Sequence, residues 1–195
     1  MKKILAATQN KNKLIEFKRI LQPLGYEVIS QADVNLNIDV EETGKTFEEN
    51  AYLKASALHK ASKLAVVADD SGLEVDYLDK APGVYSARFC GENTPYAEKN
   101  DIIIKKLENV PDEKRTARFV CVICFIDENG KVLQIKETCE GKIAYEQKGD
   151  NGFGYDPIFL YGDKTTAELD AKQKDEISHR GKALRKLLKQ IKNKK

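Results

Sequence analysis

Val66-Val67-Ala68-Asp69-Asp70-Ser71-Gly72-Leu73-Glu74-Val75-Asp76 is the stretch on which the fold turns. An apolar β-branched run leads into two adjacent carboxylates, a hydroxyl and a glycine, after which Leu73, Val75 and Tyr77 alternate with Glu74 and Asp76. The pattern predicts a strand that stops at the acidic pair and a strand pattern that then resumes. In an α/β protein, groups at strand ends face the crevice where ligands bind, so Asp69, Asp70 and Ser71 are the first candidates for chemistry. Alternation along a strand also predicts that the two aspartates look to opposite faces. Taken alone, Asp69-Asp70-Ser71-Gly72 reads more readily as a plain turn, because Asp, Ser and Gly satisfy turn backbones locally. The rest of the chain has to decide.

Upstream, Lys3-Ile4-Leu5-Ala6-Ala7 is a short apolar strand, and Leu14, Phe17, Leu21 and Leu24 recur at helical spacing until Pro23 and Gly25 end the pattern. Between them lies Thr8-Gln9-Asn10-Lys11-Asn12-Lys13. A polar turn into a helix start offers unpaired N–H groups to an anion, and Thr8, Asn10 and Lys13 add a hydroxyl, an amide and a charge. This is a phosphate cradle or, more plainly, an N-cap with solvated lysines. It lacks the glycines of a Walker loop. Tyr26 to Ser30 is a second strand, followed by a polar connection carrying Asp33, Asp39, Glu41 and Glu42. Thr46 with Glu49 forms a capping box for a helix whose Phe47, Ala51, Ala55 and Leu58 line one face. Acidic loop residues are ordinarily solvated, yet a carboxylate here could reach a metal shared with Asp70. His59 reads as a surface or packing histidine.

Downstream, Ala81 to Phe89 is a turn, and Thr94-Pro95 opens a helix with Ile103, Leu107 and Val110 inward. Thr116 to Asp127 is the longest strand, turned back by Glu128-Asn129-Gly130 into Lys131 to Thr138. Apolar on both faces, it belongs at the centre of a mixed sheet. Gly149 to Phe159 interleaves glycines with Phe153 and Tyr155, which suits either a nucleobase stack or a core-filling loop, and Asp156 could accept from sugar or base. Lys172, Lys174 and Ile177-Ser178-His179-Arg180 open a last helix with Leu184, Leu187, Leu188 and Ile191 on one side. Positive charge at a helix N-terminus opposes the dipole, which points to a bound anion or acceptor. Lys192 to Lys195 is a basic tail.

At 195 residues, with 33% charged and 41% hydrophobic composition, the chain fits one large domain or two lobes sharing a sheet, and it is long enough to bury a core. A net charge of +2 argues against an extended nucleic-acid surface. No apolar run approaches the roughly 20 residues that span a bilayer, and Met1 to Leu5 runs straight into polar sequence, so a cytoplasmic protein with neither membrane segment nor signal peptide is expected. The four cysteines are then reduced; Cys121 and Cys124 lie within an apolar strand, face opposite ways and cannot share a metal.

Thr8-x-Asn10-x-x-Lys13, Glu41-Glu42-Thr43-Gly44, Ala68 to Leu73, Pro82 to Arg88, Gly152 to Pro157 and Ser178-His179-Arg180 together resemble, in order along nearly the whole chain, the inosine/xanthosine triphosphate pyrophosphatase family. The resemblance implies a homodimeric, Mg²⁺-dependent enzyme that hydrolyses ITP, dITP and XTP to the monophosphate and pyrophosphate. It implies an α/β fold in which a long mixed sheet is flanked by helices in two lobes, with the active-site cleft between them. It also implies roles: Thr8, Gln9, Asn10, Lys11, Asn12 and Lys13 meet the triphosphate, Glu41 and Asp70 hold the metal, and Asp70 is the general base. Ser71, Phe153, Gly154, Tyr155, Asp156, Lys174, His179 and Arg180 complete the nucleotide site. Two positions depart from the family pattern, Gln9 in place of a common glycine and Gln173 in place of a common glutamate.

The chemistry is consistent with those roles. A triphosphate must be neutralised before water approaches phosphorus, and Mg²⁺ on one or two carboxylates with lysines nearby is the usual means. Hypoxanthine and xanthine carry a C6 carbonyl where adenine has an amino donor, so donors from Arg180, His179 and backbone N–H groups would accept the former and reject the latter.

Overall fold

The computed structural model describes residues 2–192. Among them, seven strands form one sheet: β1 (Lys2–Ala6), β2 (Tyr26–Ile29), β3 (Val66–Val75), β4 (Thr116–Ile126), β5 (Val132–Ile143), β6 (Phe159–Tyr161) and β7 (Lys164–Thr165), in the order β2-β1-β3-β4-β5-β6-β7. β1 runs parallel to β2, with Ile4 opposite Val28, and parallel to β3, with Leu5 opposite Val66. β5, β6 and β7 pair antiparallel, so the sheet is mixed. β4 is buried at every position except Thr116 and Arg118 and lies fourth in the order. A strand apolar on both faces goes to the middle, where both faces are covered.

The break expected at Asp69-Asp70 does not occur. β3 is one continuous strand of ten residues through all four polar positions. A turn there would have let the two carboxylates bond their own backbone; instead side chains from helices pair with an oxygen of each, and the strand continues.

Five helices of four or more residues flank the strands among the described residues: α1 (Lys11–Leu21), α2 (Phe47–Ser62), α3 (Tyr96–Lys106), α4 (Ala171–Ile177) and α5 (His179–Lys192). Asn10 caps α1, its side chain accepting from the N–H groups of Asn12 at 2.9 Å and Lys13 at 3.2 Å. Thr46 and Glu49 form the expected capping box on α2. Two helix starts differ from the sequence reading. Thr94 does not cap α3: its hydroxyl donates to the Cys90 carbonyl at 2.6 Å, and Pro95 takes the cap position. The last helix is two, because Ser178 is extended (ψ 149) and separates α4, which carries Lys174, from α5. Of the basic tail, residues 193–195 lie outside the described residues.

The chain divides into two compact units, Met1–Asp70 with Cys121–Glu137 and Arg180–Lys195, and Ser71–Val120 with Thr138–His179. In the first, Ile4, Phe17, Leu21, Val28, Val67, Ile123, Leu184 and Leu187 make one apolar core. In the second, Leu73, Ile103, Leu107, Phe119, Ile143, Ile158 and Phe159 make another. Each fully buried aliphatic or aromatic side chain contributes about 1.5–3 kcal/mol, so these cores fix the backbone on which the polar groups sit. Cys121, Cys124 and Cys139 are buried thiols and Cys90 is exposed. Among the described residues no group of three or more His, Cys, Asp or Glu side chains could cage a metal.

Candidate active site

In the first unit the two aspartates of β3 face different partners, as strand alternation requires. Asp69 is fully buried and looks to α1 and α5: its Oδ2 lies 3.1 Å from Lys13 Nζ and accepts from Arg180 Nη2 at 2.8 Å. Glu16, buried on α1, takes Arg180 Nη1. Burial alone would raise the Asp69 carboxyl, but Lys13, Arg180 and Lys54 together hold it well below the ordinary carboxylate range. It is a fixed anion.

Asp70 looks the other way, to α2. Its Oδ2 accepts from Asn50 Nδ2 at 3.1 Å, and its Oδ1 lies 3.8 Å from Lys54 Nζ. Lys54 is also paired with Glu42 in the loop before α2. Burial pushes the Asp70 carboxyl up; Lys54 opposes this and Glu42 adds to it. Burial works to discharge Lys54, yet Asp70, Asp69 and Glu42 more than compensate and keep it cationic. One aspartate is therefore locked as an anion, while its neighbour has a raised affinity for a proton. That asymmetry suits a proton acceptor beside a permanent charge.

The polar segment after β1 is ordered by its own side chains. Thr8 Oγ1 accepts from the Asn10 N–H at 3.1 Å, and Gln9 Nε2 donates to the Ile38 carbonyl at 3.4 Å. Lys11 and Asn12 are exposed in the first turn of α1, and Lys13 reaches Asp69. Glu41 is exposed; Glu42 is the loop carboxylate that Lys54 joins to Asp70. Oxygen ligands of this kind, one or two carboxylates rather than a closed cage, fit a hard divalent cation that completes its shell with water and phosphate.

In the second unit, Asp156 is buried and engaged on both oxygens. Oδ2 accepts from the Phe153 N–H at 2.7 Å and from Lys174 Nζ at 2.6 Å, and Oδ1 accepts from the Thr166 hydroxyl at 2.8 Å. These bonds make Asp156 the residue that folds the loop. Gly152, at φ +76, runs so close that a Cβ there would sit 2.2 Å from Asp156 Oδ2. Lys174 Nζ lies 4.7 Å from the centre of the Phe153 ring, so one ammonium both neutralises Asp156 and holds the aromatic. The Gly154 carbonyl accepts from Asn100 at 3.2 Å, and Tyr155 is buried with its hydroxyl on the Ser86 carbonyl at 2.8 Å. His179, at the start of α5, stacks on Phe119 with ring centres 4.9 Å apart. Ser71 is half-buried on β3.

Arg180 is buried at the start of α5. Its guanidinium, expected to read a base, is bonded to Asp69 and Glu16, because a buried guanidinium requires counter-ions and these two carboxylates supply them. The positive charge at the start of α5 does have its anion, inside the protein. Gln173, one of the two departures, keeps the capping role a glutamate would have: its Oε1 accepts from the Asp170 N–H at 3.0 Å.

Sequence reasoning missed Glu16, Asn50 and Lys54. A signal was present for all three. Asn50 and Lys54 are four apart on α2 beside its apolar stripe, and Glu16 abuts Phe17 on α1. Polar groups at core spacing need partners, and a strand with two carboxylates offers them.

A mixed-sheet α/β protein that carries a carboxylate–lysine site on its third strand is the class that fold and site define. The chain belongs to the Ham1 family, whose profile matches residues 4–190. It is 51% identical over 187 residues to a dITP/XTP pyrophosphatase of Exiguobacterium sibiricum, covering 95% of this chain and 94% of that one. It is 46% identical to the dITP/XTP pyrophosphatase of Bacillus subtilis, covering 97% and 96%. Among solved structures, the Staphylococcus aureus Ham1 protein superposes with a TM-score of 0.87 at 44% identity over all of both chains.

Proposed function

We propose that this protein hydrolyses non-canonical purine nucleoside triphosphates, ITP, dITP and XTP, to the nucleoside monophosphate and pyrophosphate. The observation that carries this reading is Asp70: a buried carboxyl with raised proton affinity, held on one oxygen by Asn50 and faced on the other by Lys54. The names carried by close relatives supply the substrate class.

In this reading the segment from Thr8 to Lys13 receives the triphosphate at the start of α1, where N–H groups and Lys11 and Lys13 meet negative charge. Glu41 and Asp70 would hold Mg²⁺, which when bound neutralises the phosphates and makes water more acidic. Asp70 orients the attacking water and takes its proton. The water oxygen forms the new bond to phosphorus, the bridge between the α- and β-phosphates breaks, and pyrophosphate leaves. Lys54, cationic beside Asp70, supports the charge that develops. Asp69 and Arg180 do not touch the reacting atoms; they set Lys13 in place.

For the base, the second unit offers Phe153 for stacking, with Gly154, Tyr155 and Asp156 shaping its loop, and Ser71 and His179 as polar contacts. Donors facing the C6 carbonyl of hypoxanthine or xanthine would meet a second donor in adenine, a mismatch of the kind worth about 10⁴ in selectivity. Arg180 acts there only through the helix start it anchors. A cytoplasmic homodimer is the expected working form, and no helix among the described residues is long and apolar enough to cross a membrane.

The test is a substrate panel with Mg²⁺, in which ITP, dITP, XTP, GTP and ATP are compared and pyrophosphate is read against orthophosphate. Pyrophosphate released from the first three, at rates far above the last two, is the expected result. Orthophosphate as the sole inorganic product would mean a different bond is cut, and equal turnover of GTP would move the protein to another nucleotide class.

A further inference from the structure

We infer that Asn50 is a positioning residue whose single amide sets the acidic loop at Glu41–Gly44 and the Asp70 carboxylate in register with one another. Asn50 lies on α2 with none of its surface exposed. Its Oδ1 accepts the Gly44 N–H at 2.8 Å, and its Nδ2 donates to Asp70 Oδ2 at 3.1 Å. These two bonds fix the amide's orientation without ambiguity. A backbone N–H can only donate, so the oxygen must face Gly44 and the NH₂ group must face the carboxylate. Asp70 Oδ2 is thereby an obligate acceptor.

The loop side is as specific as the strand side. A Cβ on Gly44 would lie 2.5 Å from Asn50 Oδ1 and 2.7 Å from Glu49 Cβ, so the backbone can approach this closely only as glycine. The same loop end is held a second time, by the Lys45 N–H on Glu49 at 2.6 Å. Glu42, two residues before Gly44, is in turn tied to Lys54, one helical turn beyond Asn50 on α2. Loop carboxylates, α2 and Asp70 thus form a closed circuit in which Asn50 is the direct link between backbone and carboxylate. Partners of this kind, one bond removed from a metal ligand, typically tune metal affinity or turnover by about 10–100-fold.

This inference rests on the reading of Asp70 and Glu41 as ligands, and the two fail differently. Mn²⁺, which shares the oxygen-ligand preference of Mg²⁺, is titrated into nucleotide-free protein and followed by electron paramagnetic resonance, beside kcat and KM for ITP. Asn50→Ala should weaken Mn²⁺ binding and lower kcat, each by about 10–100-fold, with KM at saturating metal changed by less than about threefold. Asn50→Asp keeps an acceptor for Gly44 and loses the donor to Asp70; Gly44→Ala displaces the loop and leaves Asp70 paired. Each should weaken Mn²⁺ binding by itself, and Gly44→Ala added to Asn50→Ala should do little more. Should Asn50→Ala not fold, Asn50→Asp and Gly44→Ala decide. Mn²⁺ affinity within about twofold of the parent in the folded variants, with only thermal stability lowered, would overturn the inference. Normal turnover in Asp70→Asn would instead overturn the reading beneath it.

Discussion

Arg180 places two guanidinium nitrogens, Nε at 3.1 Å and Nη2 at 2.8 Å, on a single oxygen of Asp69. Lys13 approaches that same oxygen at 3.1 Å, and Glu16 takes the remaining arm of the guanidinium. Four charges in a protein interior balance only as a set, since each ion removed from water depends on its partners for compensation. Asp69→Asn leaves two cations on one carboxylate, and we expect a loss of about 3–5 kcal/mol in chemical denaturation. Because Lys13 then loses its anchor, KM for ITP should rise more than kcat falls. A variant as stable as the parent would show that the set does not hold these elements together.

Asp70→Asn keeps the shape and an acceptor oxygen but removes the carboxylate proposed as the proton acceptor. Pyrophosphate release should drop by about 10²–10⁴-fold, the usual contribution of a positioned base, while nucleotide binding measured calorimetrically changes far less. Lys54→Met, which retains the aliphatic stem, should lower kcat in the same direction and also loosen Glu42.

How much of this was readable without coordinates follows from the range of the interactions. The presence of most strands and helices, the capping box at Thr46 and Glu49 and the central place of β4 depend on periodicity within ten or so residues and were legible, although β5 runs on past Thr138 to Ile143 and the last helix divides at Ser178. The continuity of β3 through Asp69-Asp70-Ser71-Gly72 was not, because it depends on Lys13, Asn50 and Arg180, which lie 20 to 111 residues away along the chain. The same distance hid the true partner of Arg180. Its odd position at a helix start signals a negative partner, but sequence does not say whether that partner is a ligand or, as with Asp69 and Glu16, a neighbour in the fold. Asp156 is the reverse case: its bonds to Phe153 and Thr166 are local, yet a carboxylate in a glycine-rich loop reads as well for a ligand as for a fold.

The loop around Phe153 gives a second test. Gly152→Ala places a methyl 2.2 Å from Asp156 Oδ2 at a φ of +76, so strain and a displaced carboxylate act together. We expect a loss of about 1–3 kcal/mol in stability and a higher KM for ITP. Lys174→Met keeps the stem against Phe153 but leaves Asp156 without its ammonium; KM should rise while Mn²⁺ binding in the first unit is unchanged. Equal effects on both ligands would mean that base and metal are not separately held.

The buried thiols carry a pH dependence of their own. Burial pushes Cys124 from its ordinary 9.0 up to about 11, with a contact from Gln134 opposing, and burial moves Cys121 in the same direction. A group whose proton is held more tightly in the folded state contributes stability that is complete below the unfolded value and is lost as pH rises through the folded one. Stability should therefore be flat to about pH 8.5 and fall between about pH 9 and 11, by roughly 2–3 kcal/mol from Cys124 alone at about 1.4 kcal/mol for each pH unit. Cys124→Ala begins less stable because of its cavity, but its denaturation midpoint should decline less steeply over that interval. Tyr155, raised by burial in the second unit, keeps part of the slope in place. Below pH 9, thiol-specific alkylation should label Cys90 in the native protein and the other three cysteines only after unfolding. Rapid native labelling of Cys121 or Cys124 would show that β4 opens to solvent far more often than its burial implies.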